Sequence, residues 1–190
     1  GGGRPLCLGD RTRTINVIDT ATDEVVWELE MDAGIRPMTF STNADGSTKS
    51  IFVQLSGFHG FAVVDFALQA EVARVELPAI PGQEAHYDGL QGAPAHGLGV
   101  PPDGKTVWAT SKVYSHAYVY SLPELEPVGQ IFVGQHPEWI TFTPDGKTAY
   151  IGAAGDHVTY AVDVERMETV AVIPVGQVPK RVGTVLMAVD

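Results

Sequence analysis

Short runs of alternating apolar and polar residues, separated by tight turns, fill this chain. In the clearest stretch, residues 138–143 and 148–152 flank the turn Pro144–Lys147, and further runs follow at 157–163 and 167–175. Alternation with a period of two places the apolar side chains on one face of a β-strand. Runs this short, rich in β-branched residues and bounded by Gly, Pro and Asp, predict an all-β fold.

The pattern repeats with a period of about forty residues. Pro-Asp-Gly-Lys-Thr at 102–106 returns 42 residues later at 144–148, and Val-Gly-Gln-x-Pro at 133–137 returns 42 residues later at 175–179. A period of this length with four short strands per unit is typical of β-propeller blades. We therefore predict an all-β fold, a β-propeller of four-stranded antiparallel blades. Aspartates that end the third strand of a unit, such as Asp19, are predicted to be turn residues.

Three of these motifs resemble the YVTN-type β-propeller repeat of bacteria and archaea. They are Val17–Thr22, Val133–Pro137 and Thr143–Ile151, and the resemblance covers about residues 14 to 182. It implies the propeller fold but leaves the chemistry open, because relatives include binding proteins, surface-layer components, lactonase-like enzymes and subunits of cofactor enzymes. Such relatives are often periplasmic or extracellular, and we expect that location here.

The whole chain supplies about four blades' worth of strands in one propeller domain or segment. The predicted blades span 37–78, 94–134 and 137–175, and a further blade over 5–32 is completed by a strand at 180–187. Pairing of the two ends would close a four-bladed ring. The resemblance favours a segment of a larger ring, since related rings usually have more blades, and self-association of two chains is a further way to complete one.

Composition narrows the range of partners. The chain has 23 acidic and 12 basic residues, a net charge of −11, and no cluster of lysine or arginine along the sequence. This balance excludes nucleic acid and anionic membranes as the main partner, because both require positive charge. No apolar run approaches the roughly 20 residues that cross a bilayer, so no membrane insertion is expected. Cys7 is the only cysteine and forms no internal disulfide.

All six histidines fall on one predicted face, which we call the histidine-bearing face. In a blade, the connections from fourth to first strand and from second to third strand emerge at the same edge of the sheet. The candidate ligand-face residues at this edge are His59, His86, His96, His116, His136 and His157, with Asp88 and Glu138. Imidazole binds metals and carries protons near neutral pH. The alternative is that histidine is simply another polar loop residue.

Blade geometry separates the histidines further. His96 and His136 belong to innermost strands of adjacent blades, and with His86 they are the candidate ligands for a divalent metal. His86 lies in the insertion 78–94, which is too long for a routine connection and could cover the face as a lid. Within that lid, His86 and Glu84 are the candidate catalytic groups. We expect extended backbone at His136, which precedes a proline, and Trp139 in the core between blades.

The leading functional hypothesis is a propeller module that binds a small-molecule ligand or a protein partner on the histidine-bearing face. The first alternative is a metal- or cofactor-dependent enzyme, either an oxidoreductase or a lactonase-like hydrolase, or a subunit of such an enzyme. Its site would lie at the mouth of the propeller's central channel. The second is a structural repeat of a cell-surface protein. The sequence lacks a Gly-x-Ser-x-Gly elbow, a His-Glu-x-x-His motif and a phosphate-binding glycine loop.

Overall fold

The fold consists of antiparallel β-sheets. The computed structural model describes residues 6–8, 13–89 and 91–187. Within these residues it contains fifteen strands and no helix, arranged in four antiparallel sheets. The predicted all-β class is therefore confirmed. No helix long and apolar enough to cross a membrane occurs in this part of the chain.

Each sheet is a run of consecutive strands. Sheet I contains β1 (Leu6–Leu8), β2 (Thr14–Asp19) and β3 (Glu24–Glu30). Sheet II contains β4 (Ile35–Thr42), β5 (Thr48–Leu55), β6 (Gly60–Asp65) and β7 (Ala70–Glu76). Sheet III contains β8 (Ala95–Gly99), β9 (Thr106–Ser111), β10 (His116–Ser121) and β11 (Pro127–Phe132). Sheet IV contains β12 (Pro137–Phe142), β13 (Thr148–Ala153), β14 (Val158–Asp163) and β15 (Glu168–Pro174).

Aspartates hold the turns between the last two strands of three sheets. The Asp19 carboxylate accepts a hydrogen bond from the amide of Ala21 at 2.8 Å, and that of Asp65 accepts one from the amide of Ala67 at 2.9 Å. Asp163 makes a corresponding bond with a following amide. The short carboxylate side chain thus satisfies backbone donors that the tight turn leaves unpaired, as predicted for these recurring residues.

The hydrophobic core lies between successive sheets, which stack face to face. Sheets I and II bury one cluster, sheets II and III a second, and sheets III and IV a third. Trp108 belongs to the third cluster and meets Phe142 edge-on, with ring centroids 5.8 Å apart. The prediction that Trp139 also lies in this core is wrong. Its half-buried ring lies instead against His96, with centroids 4.8 Å apart.

The first strands of sheets II, III and IV lie side by side, with β8 between β4 and β12. Each of these first strands pairs with the second strand of its own sheet, beginning at its first residue. The register of the pair then shifts at a β-bulge. The bulges place Arg36, His96 and Glu138 at the same position of the three strands, one residue after the first pair. A bulge redirects side chains locally, and here it brings three different polar groups to one row.

The chain after sheet IV follows β12 without forming a strand. No strand forms at the predicted position 180–187, and in the described part of the chain β1 pairs only with β2, so the predicted pairing of 180–187 with the first blade is not seen there. The amide of Trp139 donates to the carbonyl of Lys180 at 3.3 Å, and the hydroxyls of Thr141 and Thr184 are 3.0 Å apart. Lys180 is thereby held beside the first strand of sheet IV.

The insertion 78–94 crosses the histidine-bearing face. The carbonyl of Pro78 accepts a hydrogen bond from the Tyr118 hydroxyl at 2.8 Å. The amide of His86 donates to a carbonyl in the loop between β9 and β10 of sheet III at 3.0 Å. At the far end, the carbonyl of Gly92 accepts a bond from the amide of Gly57 at 2.9 Å. The insertion therefore spans from sheet III to sheet II over the ends of the first strands.

Candidate functional site

The centre of the histidine-bearing face is a buried ion pair next to a histidine. Lys112 and Glu138 are only 2% and 3% exposed, and Lys112 Nζ lies 2.8 Å from Glu138 Oε1. The other carboxylate oxygen, Oε2, lies 3.1 Å from His96 Nδ1. That approach lacks hydrogen-bond geometry, and His96 Nδ1 has no hydrogen-bond partner among the described residues. Glu138 thus joins a lysine and an imidazole at the row of first strands.

His96 is a neutral imidazole in this setting. Burial, followed by the positive charges of Lys112, Arg36, Lys180 and Arg181, lowers the pKa of His96 to about 3. Both effects penalise a further positive charge, and they outweigh the attraction of the Glu138 carboxylate, which Lys112 already neutralises. The imidazole therefore offers an unprotonated nitrogen at neutral pH.

The lowered pKa makes stability depend on pH in a defined window. An unfolded histidine has a pKa near 6.5, so between about pH 6.5 and pH 3 the unfolded chain binds a proton that folded His96 does not. The free energy of unfolding should fall as the pH is lowered through this window. At about 1.4 kcal/mol per pH unit, the wild type should lose roughly 2 kcal/mol more than a His96→Gln variant between pH 7 and pH 5. Urea unfolding of both proteins at the two pH values measures the difference, and equal losses would contradict it.

A threonine and a glycine hold β8 and β12 together at this point. The Thr110 hydroxyl accepts a bond from the amide of Gly97 at 2.6 Å and donates to the carbonyl of Glu138 at 3.0 Å. A Cβ on Gly97 would lie 2.0 Å from that same carbonyl oxygen. Only glycine permits such a close approach of two backbones. The spacing of His96 and Glu138 is therefore fixed by Gly97, which follows His96, and by Thr110 on β9.

A second buried polar side chain occupies the corresponding place in sheet II. Gln54 is completely buried on β5, and the register puts it opposite the bulge of β4, as Thr110 lies opposite the bulge of β8. Neither atom of its amide has a hydrogen-bond partner among the described residues. Buried amides without hydrogen-bond partners are rare, and a water molecule or another polar group from outside the chain can supply the missing bonds.

Two cations bind the insertion above this centre. Arg36 Nη2 donates to the backbone carbonyl of Gln91 at 3.0 Å, and Lys180 Nζ donates to the side-chain oxygen of Gln91 at 3.0 Å. The Nε of Arg36 is held by the hydroxyl of Ser56 at 2.9 Å. Gln91 thus connects β4 with the segment that follows sheet IV.

Two depressions adjoin at Gln91. The first has a volume of about 290 Å³, and its lining includes Gln91, Gln135, His136, Glu138 and Lys180. The second, of about 460 Å³, lies on the other side, between Gln91, Tyr87 and Gly57. Volumes of this size suit small molecules. The first depression offers an imidazole, a carboxylate and an ammonium group to a ligand.

His86 and His136 meet at the rim of the first depression. Their rings are 6.0 Å apart, edge to face, and His136 lies under Gly89 of the insertion. Burial, with smaller effects of Lys112 and His86, lowers the pKa of His136. The prediction of extended backbone at His136 is wrong, because its φ is 49°, in the left-handed region. This conformation turns the ring toward the insertion.

The remaining ligand-face histidines have structural contacts. His59 Nε2 lies 2.7 Å from the Ser111 hydroxyl and its ring is surrounded by Tyr114 and Tyr118, so burial lowers its pKa. His116 Nδ1 bonds the carbonyl of Tyr114 at 2.5 Å. These contacts bind neighbouring sheets and loops together.

The other candidate residues are exposed. His157 Nδ1 accepts a bond from the amide of Val178 at 3.1 Å, which ties the end of sheet IV to the following segment. Glu84 and Asp88, in the insertion, are exposed to solvent. His86 is exposed as well, so none of the three lies in a buried setting that would tune an acid or base.

The histidines do not assemble into a metal site. Within residues 6–8, 13–89 and 91–187, no three His, Cys, Asp or Glu side chains come close enough to hold a metal ion. His86 and His136 face each other, whereas His96 faces Glu138 and Trp139. The bulge in β8 directs His96 away from the pair, so shared coordination by His96, His136 and His86 is not formed.

The cations of the site were not predicted from the sequence. They come from three separate parts of the chain, at Arg36, at Lys112 and at Lys180 with Arg181, so they form no long basic run. A signal was nevertheless present: Lys180 follows Pro179 as Glu138 follows Pro137, 42 residues earlier. Arg36 and His96 each follow the first paired residue of their strand. Pro37 lies inside β4 whereas Pro94 precedes β8, so the prolines do not mark this common position.

Comparisons with known proteins bear on the fold. No protein-family profile and no curated protein sequence matches the chain. Its structure is similar to that of hydrazine synthase from Kuenenia stuttgartiensis, with a TM-score of 0.72 and 18% sequence identity, over 92% of this chain and 47% of that one. This chain thus spans about half the length of the matched chain, and that protein contains a β-propeller. At this identity the similarity shows the fold alone.

Proposed function

We propose that this chain is a β-propeller module whose histidine-bearing face binds a small anionic molecule. Each sheet would be one blade, and β4, β8 and β12 would line the channel. Face-to-face packing of successive sheets and the row formed by their first strands support this arrangement. The ligand would occupy the depression between the insertion and the ends of the first strands.

The observation that carries the proposal is the distribution of charge. The chain is strongly acidic, with a net charge of −11 and 12 basic residues, yet four of those 12 act on the single imidazole of His96. They are Arg36, Lys112, Lys180 and Arg181. Glu138, whose carboxylate lies 3.1 Å from His96, is paired with Lys112. Positive charge gathered around one site of an acidic protein concentrates anions there and repels cations.

The neutral groups of the site fit the same kind of ligand. An anionic group would be bound by the cations, while the neutral imidazole of His96 adds no charge and keeps one N–H that can donate a hydrogen bond. The depression already contains polar donors at its rim, at His136 and Lys180. A neutral or cationic ligand would gain little from this arrangement.

A charge-matched pair of variants tests the proposal. The probe is succinate, with the uncharged succinamide as its counterpart, at low ionic strength where charges are least screened. We expect Arg36→Gln/Lys180→Gln to weaken succinate binding by about tenfold or more, because two charged donors are removed. Isothermal titration calorimetry gives the dissociation constants.

The control variant is Lys105→Gln/Lys147→Gln, which removes the same charge from turns at the opposite edge of sheets III and IV. It should bind succinate as the wild type does. Equal losses in the two double variants would mean that net charge alone attracts the anion. Equal binding of succinate and succinamide would reject an anion site altogether.

A further inference from the structure

Gln91 lies between two cations that come from distant parts of the chain. Arg36, on β4, binds its backbone carbonyl, and Lys180, after sheet IV, binds its side-chain oxygen, each at 3.0 Å. One neutral residue thus offers two oxygen atoms to two positive charges. Gln91 also has a φ of 54°, a backbone conformation that glutamine adopts at some cost.

A carboxylate would accept these two hydrogen bonds, from Arg36 and Lys180, more strongly than the neutral oxygen atoms of Gln91 do. A carboxylate carries two acceptor oxygens and a full negative charge, and its bonds to guanidinium and ammonium groups are about twice as strong as those of a neutral acceptor. Resting on the proposed function, we propose that Gln91 is a built-in occupant of an anion subsite and that a small carboxylate ligand displaces it from Arg36 and Lys180.

Displacement would change the shape of the face. Gln91 lines both depressions, so its withdrawal joins them into one cleft. The adjacent carbonyl of Gly92 holds the amide of Gly57 at 2.9 Å, and movement of this segment breaks that bond. The Arg36 guanidinium stays in place, because its Nε remains bonded to Ser56. Binding of the ligand and opening of the insertion are therefore one event.

Variants of Gln91 should alter succinate binding in opposite directions. Gln91→Ala removes the bond to Lys180, so we expect binding about threefold to tenfold tighter than in the wild type. Gln91→Glu supplies a tethered carboxylate at high effective concentration, so succinate should bind at least about fivefold more weakly. Gln91 is exposed, and neither change threatens folding. Calorimetry with succinate measures both effects.

Gln135 provides the matched control. It lines the same depression and is also exposed, and in the described structure its side chain bonds neither Arg36 nor Lys180. Gln135→Ala and Gln135→Glu should therefore leave the dissociation constant within about twofold of the wild type. If Gln135→Glu weakens binding as much as Gln91→Glu does, general charge repulsion explains both and the displacement model is rejected.

Hydrogen exchange reports displacement directly. Saturating succinate should increase the exchange rate of the Gly57 amide in the wild type, because its bond to Gly92 is lost. Binding without a change at Gly57, or equal affinities for the wild type and both Gln91 variants, overturns the displacement while leaving the anion site standing. If no form binds succinate more tightly than Arg36→Gln/Lys180→Gln does, both proposals fail. If phosphate binds more tightly than succinate and alone shows the Gln91 dependence, the carboxylate class is wrong.

Discussion

Replacing Lys112 by methionine is expected to lower the free energy of unfolding by about 3–5 kcal/mol. Methionine has a similar length and keeps the packing, but it leaves the carboxylate of Glu138 buried without its ammonium partner. An unpaired charge in a nearly inaccessible position, 3% exposed here, is among the most costly changes that a fold can suffer. Urea unfolding followed by circular dichroism gives the loss.

The double variant Lys112→Met/Glu138→Gln separates charge from packing. It removes both charges, so most of the lost stability should return, as replacement of a whole buried ion pair is often nearly neutral. Its anion binding need not return, because a positive charge has left the site. A double variant as unstable as Lys112→Met would show that packing of the lysine stem, rather than pairing of Glu138, stabilises this region.

The second large effect is expected at Gly97. Gly97→Val should destabilise the protein by about 3 kcal/mol or more, since overpacking of a well-packed interior costs about 1–3 kcal/mol and here the obstacle is backbone. The new Cβ would meet the carbonyl oxygen of Glu138 at 2.0 Å and the Thr110 hydroxyl at 3.0 Å. β8 and β12 must then separate, and the bridge through Thr110 breaks.

Gly176 serves as the control for Gly97. A Cβ there would meet nothing within 4 Å, and its backbone lies outside the left-handed region. Gly176→Val should change the melting temperature little, whereas Gly97→Val should lower it strongly. A small effect at Gly97 would mean that the two strands can move apart freely, which would also remove the rigid spacing between His96 and Glu138.

The fold could be predicted from the sequence because its signals are local and repeated. The run from Glu138 to Val175 shows alternation, a Pro-Asp-Gly-Lys turn and an aspartate turn in order, and the structure forms four strands there. The segment at 180–187 carries the sequence of a first strand but forms none, because a strand also needs a hydrogen-bonding neighbour. In the described residues it contacts β12 only at isolated points such as Thr184.

The site was harder to predict because bulges and distant pairings create it. Pro37 is the third residue of β4, Pro94 precedes β8 and Pro137 is the first residue of β12. The prolines at which the predicted blades begin therefore did not mark the common position of Arg36 and His96. Lys112, in a loop after β9, has no repeat partner that marks it as the mate of Glu138. Histidines were visible as a class, but only contacts distinguish structural His59 from His96.

Anomalous diffraction from crystals of the full chain soaked in bromide is the most direct test of the central claim. Bromide is a simple anion whose position is located without assumptions about the ligand. We expect a strong peak in contact with Arg36 and Lys180, at the place that Gln91 occupies in the present structure. Bromide bound at exposed lysines such as Lys105 and Lys147, with none between Arg36 and Lys180, would contradict an anion site on the histidine-bearing face.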